Sequence, residues 1–419
     1  MMYRWILAFK KPSNRLWVTP ALWALVAVLF AFGARLATVW LPAGIFPQIS
    51  LATLESLLEV IASSMLAVST FSLSIMVSAF SSAANGATPR ATELVMSDDN
   101  TRTAIASFIS AFIYAIIAKT ALGMEFYGQN GRFVLFVSTV LVLVYLIVTL
   151  IRWVHTISQL GGMAHTVNKI MKAAEDSLEK YRADPNMGAG WRGSCSHHAR
   201  MVKAGFSGYL THIDMSTLQN RAESADVRIH ILVRPGELVG HDTPLMLVEG
   251  GEVENEDLLK CFVFGGARGY DFDPSWGFVV LSEVAQRALS PAVNDPGTAI
   301  NVMTGMMRIL TEQPPENEPG DKADKYDRLS IKPEETGKWV EEAFYPIARD
   351  GAGILEVGIV MQKVLAGIWR NAPEAGVSQA AARVAERSLQ RALSEMSFEP
   401  DAEELRAKHE ALFGKKSLA

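Results

Sequence analysis

The sequence predicts a membrane α-helical protein: four transmembrane helices, then a mixed α/β cytoplasmic domain and a C-terminal helical bundle. Three observations predict it. The 419 residues are 49% hydrophobic and only 20% charged, and the mean hydropathy is +0.17, which is apolar for a water-soluble chain. The charges are unevenly spread: Leu16 to His155 holds 6 Lys or Arg and 6 Asp or Glu, while 67 of the 83 charged residues follow His155. Within that charge-poor third, four apolar stretches approach the roughly 20 residues that a spanning helix needs. A net charge of -5 leaves no basic footprint for nucleic acid. Two cysteines, Cys195 and Cys261, exclude a disulfide framework.

Residues 1–15 form an N-terminal segment, and 16–155 a four-helix transmembrane domain. The spans run from Leu16 to Ala34, Val60 to Ala84, Thr103 to Ala118 and Phe133 to Ile151. The third is short and is expected to take in Lys119, whose long side chain can reach the headgroups. Arg4, Lys10, Lys11 and Arg15 precede the first span, Arg90 and Arg102 lie between the second and third, and Arg152, Lys169 and Lys172 follow the fourth. The stretch Pro42 to Leu54 and the turn Gly123 to Gly131 contain neither Lys nor Arg. The positive-inside rule then puts both termini in the cytoplasm, with the lipid bilayer as first partner. A cleaved signal peptide is the competing reading of the first span, but three further spans follow it.

On a helical wheel of the second span, Ser63, Ala67, Thr70, Ser74 and Ser81 share one face and Ser78 lies beside them. Ile61, Met65, Val68, Ile75 and Met76 lie opposite, where they suit lipid. Small hydroxylic residues at this spacing let helices approach closely. The same face lines a wetted pathway if several copies gather around an axis. Both readings stay open at this level.

Residues 156–183 are expected to form a connecting helix. Ile157, Leu160, Ala164, Val167, Met171, Ala174, Leu178 and Tyr181 follow a spacing of three and four, a seam that fits either a coiled coil between copies or packing on the chain's own domain. Asp184, Pro185, Gly188 and Gly190 end it. Residues 200–312 read as mixed α/β. Tyr209 to Ile213 and the alternating Val227, Ile229, Ile231 and Val233 are strands, Ser216 with Gln219 forms a capping box, and Leu245 to Val248 is a further strand. The string VRPGELVGHDTPLMLV has the turn spacing of small β modules that carry biotin or lipoyl groups, although no lysine occupies the hairpin tip. Residues 313–335 read as an exposed linker rich in Pro, Glu, Asp and Lys, and 336–419 as amphipathic helices.

The densest polar run is FGGARGYDFDPSWGFVVLSEVAQRALSPAVNDPGTAINVMTGMMRIL. Trp276 to Leu289 has helical periodicity, Ser290 and Pro291 stop it, and Asp295 can cap a helix that starts at Pro296. Arg268, Asp273, Glu283, Arg287, Asn294, Asp295 and Thr298 form the candidate polar cluster. Asn294 and Asp295 are expected to cap that helix, with Arg268 and Arg287 close enough to bond the same turn. The cluster reads either as ion pairs holding a loop or as an anion site at a helix N-terminus.

The strings ASSMLAVSTFSLSIMVSAF, TPR at Thr88 to Arg90, FISAFIYAI, SGYLTHID, VRPGELV and QRALSPAVNDPGTA together resemble a bacterial family of predicted integral membrane proteins, domain of unknown function 2254. The resemblance runs from the first span to about Leu310. Arg268, Asp273, Gly277, Arg287, Ser290, Pro291, Asn294, Asp295, Pro296 and Thr298 match the family pattern. Gly269 and Phe272 depart from it, standing where a hydroxyl and a polar amide are usual. The resemblance implies an inner-membrane location and no activity.

Cys195, His197 and His198 form a C-x-H-H group short of a zinc set. Phosphate-loop, H-E-x-x-H and nucleophile-elbow motifs are absent from the sequence. No enzyme, cofactor or metal is therefore expected. The leading functional expectation is a homo-oligomeric channel or transport protein with a cytoplasmic regulatory domain, its ion or ligand unnamed. The alternative is a membrane-anchored sensor or scaffold without a conduction pathway.

Overall fold

The computed structural model describes Leu25, Pro47, residues 49–92, Leu94, and residues 99–157, 162–193, 195–314 and 325–414. The expected first span lies outside the described residues apart from Leu25. The chain divides into two compact units, Met1–Thr166 and Val167–Ala419.

Among the described residues of the first unit, three helices are long and apolar enough to cross a membrane: α1 (Leu51–Gly86), α2 (Asp99–Gly123) and α3 (Gln129–Ile157). Thr88 caps a short 3-10 turn at Pro89–Ala91 between α1 and α2. At 36 residues, α1 is about 54 Å long, well beyond the roughly 30 Å of a hydrocarbon core. Its buried residues, among them Leu54, Leu58, Ile61, Met65, Ser69, Ser72 and Met76, recur every third or fourth position. Leu54, Leu58, Ile61 and Met65 pack in one core with Phe108 and with Ala104, Ala111, Ala115 and Ala118 of α2, four alanines whose small side chains allow close approach. Between α2 and α3, the Tyr114 hydroxyl meets Ser138 Oγ at 2.9 Å and Thr139 Oγ1 at 3.1 Å. Lys119, expected to reach the headgroups alone, pairs with Glu59 at 3.2 Å.

The second unit joins a β module to a helical bundle. The seam of the connecting helix is spent inside this unit. Helix α4 (Met163–Ala183) buries Val167, Ile170, Met171, Ala174 and Leu178, and Gly277 and Gly305 are the reason it can lie so close. A Cβ on Gly277 would stand 2.5 Å from that of Ala174, and one on Gly305 would stand 2.6 Å from Met171 Sδ. Ile157 instead ends α3, Leu160 is outside the described residues, and Ala164 is exposed.

Among the described residues seven strands follow: β1 (Arg200–Lys203), β2 (Gly208–Ile213), β3 (Val227–Ile231), β4 (Leu238–Val239), β5 (Pro244–Gly250), β6 (Phe262–Gly265) and β7 (Leu329–Ile331). They form a four-stranded sheet ordered β1-β5-β3-β7 and a three-stranded sheet ordered β4-β2-β6. Leu210, Ile213, Ile229, Ile231, Met246 and Phe262 belong to the core that the two sheets share. All pairings are antiparallel except β3 with β7, where Ile229 faces Leu329. Strand β7 corrects the linker reading: Leu329, Ser330 and Ile331 are all buried, because three residues of a polar stretch pair with β3 as the last strand of its sheet. The capping box at Ser216 is also corrected. Helix α5 (Met215–Ser224) is capped by Asp214, whose Oδ1 accepts the Thr217 N–H at 3.0 Å. Gln219 is buried and reaches Asp327 at 2.6 Å and the Arg328 N–H at 3.2 Å instead.

After the short α6 (Asn255–Leu259), helices α7 (Trp276–Ala288) and α8 (Pro296–Thr311) do not stay with the strands. They pack with α9 (Gly337–Asp350), α10 (Leu355–Asn371), α11 (Ala375–Glu395) and α12 (Glu399–Phe413). Buried Gln362 of α10 donates to Ala385 O at 3.1 Å and to Ser388 Oγ at 3.0 Å, so its amide oxygen is left to accept from His409 Nδ1 at 2.8 Å. Burial pushes the His409 pKa below the ordinary histidine value, against the opposing charges of Glu386 and Glu410. A depressed folded pKa means that the unfolded chain binds the proton more readily, so stability is full above about pH 6.5 and is lost as pH falls. His212 and His230 are depressed by burial in the same direction. Urea denaturation between pH 7.5 and 5.5 is expected to show falling stability for the wild type and a shallower fall for His409→Gln.

Candidate functional site

The hydroxyl face of α1 lies on the opposite side from the helix contacts. Ser63, Ala67, Thr70, Ser74, Ser78 and Ser81 are all exposed, while Ile61, Met65 and Met76, read from the sequence as lipid-facing, are buried. Val68 and Ile75 are half-buried. Ile61, Ala62 and Met65 share the core with α2, and the buried face continues through Ser69, Ser72, Met76 and Ala79. Ser63 Oγ donates to Glu59 O at 2.9 Å and Thr70 Oγ1 to Ala67 O at 2.9 Å, so these hydroxyls are satisfied by their own helix. Ser81 Oγ accepts from Asn85 Nδ2 at 3.3 Å.

The polar cluster read from the sequence falls into two places. Asp295 and Thr298 stand at the start of α8, where Asp295 Oδ1 accepts the Thr298 N–H at 3.0 Å and Oδ2 its hydroxyl at 2.6 Å. These bonds hold the Asp295 carboxyl below the usual carboxylate range. Asn294 adopts φ of 49°, a left-handed backbone that Asn tolerates. Asp295 N–H closes the corner on Ala288 O at 2.8 Å. The ALSP-to-NDP string thus specifies a helix corner: a stop, a left-handed Asn, a capping Asp, and Pro at the first helical position. Arg287 is exposed and makes no ion pair among the described residues, and Glu283 is half-buried two turns into α7. Asp295→Ala is expected to cost ~1 kcal/mol, and Arg287→Ala less than about 0.5 kcal/mol, both measurable by urea denaturation of the purified protein.

Arg268 and Asp273 sit at the other end of α7, about 20 Å away along a helix of 13 residues. They do not bond the NDP turn. Arg268 Nε and Nη2 donate to the two Asp273 oxygens at 2.6 and 2.9 Å, a bidentate pair. Nη2 also reaches Ser275 Oγ. Asp273 Oδ1 further accepts the N–H groups of Ser275 and Trp276 at 3.1 and 3.2 Å, so it also closes the first turn of α7. The Arg268 guanidinium lies 4.9 Å over the Trp276 ring. Burial opposes its charge, yet Asp273, with Glu342, holds its pKa above the ordinary arginine value.

A second ion pair, not anticipated from the sequence, lies beside the first. Arg234, only 6% exposed, pairs with Glu334 at 2.9 Å and donates to Lys332 O and Pro185 O at 2.7 Å each. The Trp339 indole N–H donates to Glu334 at 3.3 Å. Burial pushes the Glu334 carboxyl up despite Arg234 and Trp339. Gly236 at φ 97° joins the two pairs, for a Cβ there would fall 2.3 Å from the Asp273 carboxylate. Together these groups form the floor of a cleft of about 340 Å³. Its wall is the turn from Arg234 to Leu238 on one side and α9 on the other.

Residues 13–367 match a family described as predicted membrane protein (DUF2254). The chain belongs to the DUF2254 family. No curated protein and no solved structure matches it. The DUF2254 match ends within α10, so α11 and α12 lie beyond it. Two strings that carried the resemblance converge on the cleft, Tyr209 of SGYLTHID and Arg234 to Leu238 of VRPGELV, together with Arg268 and Asp273, which match the family pattern. Elsewhere, the C-x-H-H group holds half-buried Cys195 and exposed His197 and His198. Among the described residues no three His, Cys, Asp or Glu side chains are placed to hold a metal ion. Gly269 has nothing within 4 Å of a built Cβ, and exposed Phe272 lies 4.7 Å from the His212 ring.

Proposed function

We propose that this DUF2254 member is a homo-oligomeric channel or transport protein of a bacterial inner membrane, with both termini cytoplasmic and the second unit as its regulatory part. One observation carries the reading: α1 turns Ser63, Thr70, Ser74, Ser78 and Ser81 away from the helices it packs on. Hydroxyls used as packing glue belong in the seam, and here the α1 seam holds Ser69 and Ser72 instead. A polar stripe as long as the apolar span fits an axis shared by several copies. The seam of α4 lends no support to assembly, being used within the chain.

The test is a cysteine scan of those five positions in a chain lacking Cys195 and Cys261, reconstituted in liposomes. Labelling by a membrane-impermeant thiol reagent at helical spacing, with block of ion flux, is expected. Monomeric protein, no flux and no labelling would leave the second reading, a membrane-anchored sensor. The cleft between Arg234 and α9 supports that reading.

A further inference from the structure

We propose that the cleft between the Arg234–Leu238 turn and α9 binds a small phosphate- or carboxylate-bearing solute on the outward edge of Arg268. The site does not depend on whether the spans conduct.

The guanidinium has five N–H donors. Asp273 clamps Nε and Nη2, and Ser275 takes a further bond from Nη2. Nη1 has no hydrogen bond among the described residues, and the Glu342 carboxylate stands 3.8 Å away. The Arg268 side chain is 17% exposed and lines the cleft. Clamping one edge fixes the plane of the other, which lowers the ordering cost of a bidentate ligand.

One further group points to an anion: the cleft is lined by Tyr209, whose hydroxyl makes no hydrogen bond among the described residues. The cleft's lysines, Lys332 and Lys338, both pair with Glu335 on the rim and Glu334 is held by Arg234, so the charge offered to an anion is that of the Arg268 edge. A volume of about 340 Å³ is within the range of small-ligand sites. Glu342 then acts as an internal competitor. Its carboxylate is 43% exposed and stands beyond hydrogen-bond range of Nη1, near enough to occupy the ligand's place when none is bound and to be displaced when one arrives.

The experiment titrates the full chain, in phosphatidylcholine nanodiscs at constant ionic strength, with inorganic phosphate and with succinate by calorimetry. Saturable binding of at least one is expected. Glu342→Gln should tighten it about 5- to 10-fold, because one unit of repulsion is removed a few ångströms from the anion. Tyr209→Phe should weaken it about fivefold through loss of one hydrogen bond. Both changes leave the bidentate Arg268–Asp273 pair in place, and matching thermal melts check that both variants fold. A repeat in phosphatidylglycerol nanodiscs separates the sources: unchanged phosphate binding means a free solute, and abolished binding means that a lipid phosphate fills the cleft. Absence of binding by both the wild type and Glu342→Gln would overturn the proposal. So would binding that neither variant alters, since the anion would then lie elsewhere.

Discussion

Asp273→Ala is expected to destabilise the second unit by about 3–5 kcal/mol, because it strands the nearly buried Arg268 guanidinium without its partner. Asp273 is only 4% exposed, and it also accepts the N–H groups of Ser275 and Trp276 that open α7. At roughly 2–4 °C per kcal/mol for a unit of this size, thermal melting should fall by about 6–20 °C. Asp273→Asn keeps the shape and an acceptor, and should lose less. The paired change Arg268→Met with Asp273→Leu is the sharper comparison. Removing both charges removes the stranded-ion penalty, so this double variant should melt above Asp273→Ala. If it melts at or below the single variant, the pair is held by something other than charge compensation.

Trp339→Ala should cost a similar ~3–5 kcal/mol, for a different reason. Trp339 is fully buried and stands edge-on to Tyr181 at 5.1 Å, so truncation opens a cavity that α4 and α9 cannot readily close. It also removes the indole N–H from Glu334, whose carboxyl burial has already pushed up. Trp339→Phe keeps much of the volume and loses the donor, and about 1–3 kcal/mol is expected from the unsatisfied acceptor. Urea denaturation of both variants separates the two contributions. Equal losses would mean that the hydrogen bond, not the packing, fixes this corner.

The sequence carried information about neighbours along the chain far better than about partners across it. The wheel of α1 separated a hydroxyl face from an Ile and Met face correctly, but periodicity does not say which face is turned inward, and lipid preference gave the wrong answer for Ile61, Met65 and Met76. The capping of α8 by Asp295 was legible because every atom involved lies within four residues. Arg268 and Asp273, five apart, could be seen as a pair, whereas their place at the start of α7 could not. Arg234, Glu334 and Trp339 come from segments about a hundred residues apart, and no spacing rule reaches that far. The Arg-Pro-Gly turn at Arg234 was visible as a turn. That Gly236 is bare so that Asp273 can approach it follows from the packing alone.

Strand β7 has a consequence for the order in which the molecule can be made. Its partner β3 is complete at Ile231, yet the register joins Ile229 to Leu329, so β3 must wait for some hundred residues of synthesis before that edge closes. Contacts of such long sequence separation are slow to form, and an open strand edge invites pairing with other chains in the meantime. Helices α7 and α8 emerge during that interval and pack on each other, while their further partners α9 and α10 come only after β7, so these helices leave the edge bare. A nascent chain paused after Thr311 would therefore be a natural client for a chaperone. Any fragment cut between α8 and Leu329 should aggregate, even though it retains six of the seven strands.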